Sequence, residues 1–113
     1  MSLRNNYLKD IGTIGNCNKL IELSVDNNDI EYIDFLASLK YLQKINASSN
    51  KIMLFDPKTE FPSLTQLNLE NNSIRNLKGM RKLPSLMELC MFFIRIDKFK
   101  FINYYFYYIN INN

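Results

Sequence analysis

The chain has 113 residues, room for one domain at most, and a net charge of +3 with its signs interspersed. At 47% hydrophobic residues it can fill a core, and its weak, mixed charge gives no basic patch for nucleic acid or an anionic membrane. Cys17 and Cys90 lie far apart, in neither a disulfide framework nor a zinc-ligand spacing. No uncharged apolar run reaches the roughly 18 residues of a membrane helix, and the first six residues, MSLRNN, lack the apolar stretch of a signal peptide. These features predict a soluble, reduced, cytoplasmic chain.

In chain order, the first feature is a period of 22 residues. Asn6, Asn28, Asn50 and Asn72 mark it, with Leu8, Ile30, Ile52 and Ile74 two positions later. Leu3, Val25, Ala47 and Leu69 precede each asparagine by three. Leu20, Leu42, Leu64 and Leu86 keep the same spacing, as do Leu23, Ile45, Leu67 and Leu89. The three full copies begin LIELSVDNNDI at 20, LQKINASSNKI at 42 and LTQLNLENNSI at 64. Alternation within each copy predicts a short strand, one side chain in and the next out. A lone copy cannot bury its apolar side, so successive strands are predicted to stack into a parallel sheet. The asparagine falls where the chain turns inward, and its amide suits it to pair buried backbone groups.

After each strand, apolar residues recur every third position: Ile33, Leu36 and Leu39, then Leu77, Met80 and Leu83. That spacing over about ten residues predicts 3-10 or short helical turns instead of a full α-helix. The stretch Phe55-Asp56-Pro57-Lys58-Thr59-Glu60-Phe61 breaks the pattern, because Lys58 takes an apolar slot and Pro57 restricts Asp56. A looser loop is predicted there. Met1 aligns with Leu23, in mid-strand, and no capping helix precedes it, which predicts either an excerpt of a longer protein or a poorly ordered first copy.

These segments match L-x-x-L-x-L-x-x-N-x-L, and residues 1–91 resemble the leucine-rich repeat family. The class resembled is the 22-residue repeat of the leucine-rich regulatory subunit of protein phosphatase 1. The resemblance implies an α/β solenoid, or horseshoe, with a parallel concave sheet and short 3-10, helical or irregular convex segments. About four repeats are present, the first and last incomplete. It also implies an intracellular module that binds a partner protein on its concave face. A phosphatase regulatory subunit and an axonemal or ciliary scaffold are the sharper forms of that expectation.

Residues 92–113 form a second region, rich in aromatic residues and asparagine. All but Arg95 and Asp97 are Phe, Ile, Lys, Asn or Tyr, amino acids whose codons can be made of A and T alone. Ile94 stands where the next asparagine should be. Two expectations follow: an aberrant terminus read from non-coding sequence, leaving a truncated fragment without independent function, or a hydrophobic cap that is poorly formed. The uncharged, β-prone stretch 101–111 carries an aggregation risk if exposed.

The candidate docking residues are the outward strand positions. They are Arg4, then Glu22, Ser24 and Asp26, then Lys44, Asn46 and Ser48, then Gln66, Asn68 and Glu70, with Glu88 and Cys90 in the incomplete copy. They make a polar surface with acidic stripes and without Trp, Tyr or Arg anchors at its centre. The asparagine column is read as structural. No catalytic, cofactor or metal residues are assigned. The chain has no histidine, which removes the commonest general base, and Gly12, Gly15 and Gly79 form no phosphate loop. The expected partner is another protein, with no small-molecule substrate, no direct nucleic-acid contact and no membrane.

Overall fold

The structure, a computed structural model, describes the backbone of residues 1–75, 78–96 and 101–110, and the side chains of residues 1–75 and 78–91. Leu77, residues 97–100 and residues 111–113 lie outside the described residues. Five strands form one sheet in sequence order: β1 (Glu22–Ser24), β2 (Lys44–Asn46), β3 (Gln66–Leu69), β4 (Glu88–Ile96) and β5 (Phe101–Asn110). The first four run parallel, and β5 returns antiparallel along β4. Every parallel pairing keeps one offset, with Leu23 opposite Ile45, Ile45 opposite Leu67 and Leu67 opposite Leu89. The sequence period is therefore also the period of the sheet.

The strands are short because an asparagine soon turns the chain inward. Asn50 shows the device. Its Nδ2 donates to the carbonyls of Val25 (3.1 Å), Ala47 (3.0 Å) and Ser48 (3.1 Å), while its Oδ1 accepts from the Ile30 N–H (3.0 Å). Asn28 and Asn72 repeat this pattern one copy earlier and one later. Each side chain satisfies carbonyls of its own turn and of the preceding copy, groups that burial would otherwise leave unpaired. Asn6 is exposed and bonds only to the nearby Leu3 and Arg4 carbonyls, although its own N–H and that of Leu8 both reach Asn28 Oδ1.

A second periodic device sits beside each of these asparagines. Asn5, Asn27, Ser49 and Asn71 all adopt left-handed backbone conformations, with φ between 55° and 61°. Asparagine tolerates this region better than other non-glycine residues, and three of the four copies use it. Ser49 is the exception. Ser49→Asn should stabilise the fold by up to about 1 kcal/mol, read as a raised urea midpoint at unchanged slope. Its counterparts already bond along the column, Asn27 Nδ2 to Asn5 Oδ1 and Asn71 Nδ2 to Ser49 Oγ. Tyr7 also has positive φ (49°) and is 90% exposed, without an equivalent in later copies.

The return segments follow the spacing of three. Ile33 O accepts from Leu36 N, Leu36 O from Leu39 N, and Leu39 O from Leu42 N. Residues three apart in a 3-10 turn lie on one side, and all four of these side chains are buried. Such turns occur at Gly12–Asn16, Asp34–Ser38 and Lys78–Lys82. The copy containing Lys58 has none, and Lys58 is exposed. That loop is nevertheless tightly packed, contrary to the expectation from sequence. Phe55 and Phe61 are each 1% exposed, their rings lie 5.8 Å apart, and Pro57 is buried between them in sequence. The two rings stand at the positions held by Ile33 and Leu39 one copy earlier.

The core is the inward column of every copy: Leu23, Ile45, Leu67 and Leu89, with Val25, Ala47, Leu69 and Met91 behind them and Ile30, Ile52 and Ile74 after the turn. Each buried aliphatic side chain contributes about 1.5–3 kcal/mol of hydrophobic stabilisation. Asp34 intrudes on this core. Its Oδ2 accepts the Asp56 N–H at 3.2 Å, while Oδ1 is buried without a partner among the described residues. Burial pushes its carboxyl pKa up, and the neighbouring Asp56 charge adds to this while the Asp56 N–H opposes it. A raised folded pKa favours folding below the unfolded value, and that contribution is lost as pH rises through the folded value. Asp34→Asn should therefore raise the melting temperature at neutral pH and flatten its decline above the acidic range, which a pH series of thermal melts will show.

At the C-terminal side the asparagine signal stops, and so does the turn. With Ile94 in its place, β4 runs on to Ile96 instead of ending after three or four residues. Within the tail, predicted as an aberrant terminus or a poorly formed cap, Phe101–Asn110 pair along it as β5, with Glu88 opposite Asn110 and Ile96 opposite Phe101. At the other side, residues 1–5 follow β1 through Leu3 N to Ser24 O and Asn5 N to Asp26 O. Among the described residues no helix is long and apolar enough to cross a membrane.

Candidate functional site

Alternation along β1–β4 puts the inward columns in the core and leaves a second face of the sheet open. Glu22, Lys44, Gln66 and Glu88 stand in one row across the four strands, and Ser24, Asn46, Asn68 and Cys90 in the next. Together they line a shallow depression of about 300 Å3 on that face. Eight of the twelve residues singled out from sequence thus share one surface. Ser48 and Glu70 continue it toward the turns, half-buried.

Asp26 departs from expectation. It is only 7% exposed, and Oδ2 accepts from Arg4 Nε at 2.9 Å. Its Oδ1 is buried without a partner among the described residues. The pair joins the first half copy to the next, so the acidic stripe expected at Asp26 is neutralised and turned inward. Strand alternation alone misses this, because 26 lies past the end of β1, where the chain is already turning.

Other groups on the face are committed to the fold as well. Asn46 Oδ1 accepts from both the N–H and the Oγ of Ser48, at 3.1 and 2.9 Å. Asn68 Oδ1 accepts the Glu70 N–H at 3.0 Å. These bonds close the turns after β2 and β3. Lys44 and Glu22 form an exposed ion pair at 3.5 Å, worth little to stability in water. Glu70 and Glu88 have no ion pair among the described residues.

Cys90 lies between those two carboxylates. Burial pushes its thiol pKa up, and the negative charges of Glu70 and Glu88, with a hydrogen bond to Glu70, push it further. Nucleophilicity belongs to the thiolate, so this setting holds the sulfur in its unreactive form at neutral pH. Among the described residues no group of three His, Cys, Asp or Glu side chains could hold a metal ion. The face can offer hydrogen bonds from Asn46, Gln66 and Asn68, the Glu22–Lys44 pair, and negative charge beside β4. Compared with known proteins, the sequence matches no family profile and no curated protein.

Proposed function

We propose that this chain is a stretch of leucine-rich repeat solenoid whose open sheet face docks another protein without catalysing a reaction. The observation that carries the reading is the row structure of that face. Four adjacent copies present polar side chains at one offset of 22 residues over a single depression. None of these side chains belongs to the hydrophobic core, and beyond the turn bonds of Asn46 and Asn68 they are available to a partner. Four strands about 4.8 Å apart span roughly 15 Å, a width suited to an extended peptide or one helix. Glu70 and Glu88 favour a segment carrying Lys or Arg, since complementary charge speeds encounter and sets register.

The test is a double charge reversal, Glu70→Lys with Glu88→Lys, beside Glu31→Lys as an exposed control away from the face. Both proteins should keep their thermal transition, because surface substitutions of this kind usually change stability by less than about 0.5 kcal/mol. Proteins captured from a lysate by the immobilised chain should be lost with the double reversal and retained with Glu31→Lys. An identical captured set from all three baits would refute docking on this face.

A further inference from the structure

Of the strands before β4, each is hydrogen-bonded on both sides or short. β1 has three residues, and its outer edge is met by residues 1–5. β5 has ten residues, about 34 Å of extended chain, and among the described residues it pairs only with β4. Beyond Met91 the pairing is thinner still. Residues 66–69 of β3 cover β4 only from Glu88 to Met91, so 92–96 and their partners in β5 form a two-stranded ribbon. A ribbon of two strands is marginal in water and needs a third strand or a packed face.

Proteins guard such edges with charge, proline, a bulge or a short strand. The β5 sequence FINYYFYYIN has no charged residue and no proline. The one irregularity of the hairpin is an extra residue on β5 itself: Arg95 lies opposite Asn103 and Ile96 opposite Phe101, which leaves Ile102 unmatched at the end away from the parallel sheet. From Asn103 to Asn110 the edge is regular, uncharged and free of proline.

We infer that β5 is a dimerisation edge, and that its occupant is the β5 strand of a second copy of this chain, paired antiparallel about a two-fold axis. Two properties select that occupant. An antiparallel pairing of identical strands is self-complementary, so one edge suffices for both partners and the assembly closes at two chains. An uncharged strand also meets no like-charge repulsion when it faces itself, whereas the other sheet edge is a partial copy of different sequence. The dimer would join two five-stranded sheets into one of ten and give each ribbon its third strand. The polar face of β1–β4 stays open, so dimerisation adds a second docking face of the same kind.

Light scattering on the size-separated full chain tests this. The wild type should run at twice its 13.4 kDa and dissociate on dilution. Tyr104→Lys combined with Tyr105→Lys puts two charges into the uncharged strand, which is how natural edges are blunted, and should give a folded monomer. Amide hydrogen exchange on the wild type guards against a variant that fails to fold. In the dimer all amides of 103–110 should be protected, whereas a free edge leaves every second one exchanging at the solvent rate. A wild type that stays at 13.4 kDa at every concentration, a dimer that survives both lysines, or open-ended growth past two chains would each overturn the inference.

Discussion

Gly79→Ala should be the most damaging single-methyl substitution among the described residues. Gly79 lies in the 3-10 turn Lys78–Lys82, buried against the backbone of Phe55. A Cβ there would overlap the Phe55 carbonyl oxygen, and would lie 2.8 Å from both its carbonyl carbon and its ring Cδ2. Most of these atoms are backbone and cannot rotate away, so one copy would have to shift relative to the next. The glycine is required for space alone, because its φ is not positive. Overpacking of this kind costs about 1–3 kcal/mol and occasionally more, and the backbone clash puts this case at the upper end. Against a total stability on the order of 10 kcal/mol, that is a large fraction. Gly15→Ala is the control, since a Cβ there meets only the Phe35 ring at 3.4 Å. Urea titrations of the pair should separate them clearly, with Gly15→Ala near wild type. Equal midpoints would mean that Gly79 and Phe55 do not approach as closely as they do here.

Asn50→Ala should cost on the order of 3 kcal/mol, combining an orphaned buried donor with lost carbonyl bonds. The Ile30 N–H is the critical group. Its side chain is fully buried, and Asn50 Oδ1 is its partner. The carbonyls suffer less, because Val25 O and Ala47 O each also accept from the neighbouring asparagine, Asn28 and Asn72. The loss should also loosen the coupling between copies, since stacked units are stabilised through nearest-neighbour interfaces. A broader denaturation transition is therefore expected together with the lower midpoint. Asn6→Ala removes only exposed, local bonds and should change little. If the two alanine variants were equally stable, the asparagines would not be tying copies together.

Much of this arrangement is legible in the sequence, and the reason is repetition. A column such as Leu23, Ile45, Leu67 and Leu89 states the same burial four times, so chance substitutions do not hide it. The asparagine column is legible for the same reason. The Asn5, Asn27, Ser49 and Asn71 column was equally periodic but passed unread, because a polar residue beside a conspicuous asparagine looks like ordinary turn surface. Its meaning lies in φ, which residue type only suggests.

What could not be read involves contacts made once. Asp26 looks like its exposed neighbours until Arg4 is placed against it. Gly79 corresponds to Pro57 and Phe35 in earlier copies, so no column marks it. It answers the unusual Phe55 backbone of the copy before it. The extension of β4 was half legible: the missing asparagine at 94 predicts loss of the turn, but the antiparallel return of β5 depends on pairing between whole strands. On the candidate face, strand alternation located the rows correctly. Which side chains remain available there depends on turn bonds such as Asn46 to Ser48, which alternation does not encode.

The central claim is that the sequence period is the physical offset between neighbouring strands, so that one polar row faces outward. Nuclear Overhauser contacts between backbone protons of β1–β4 test it most directly. The account predicts contacts between Leu23 and Ile45, Ile45 and Leu67, and Leu67 and Leu89, each 22 residues apart. Contacts at any other offset, or helical contacts three residues apart through these segments, would contradict it.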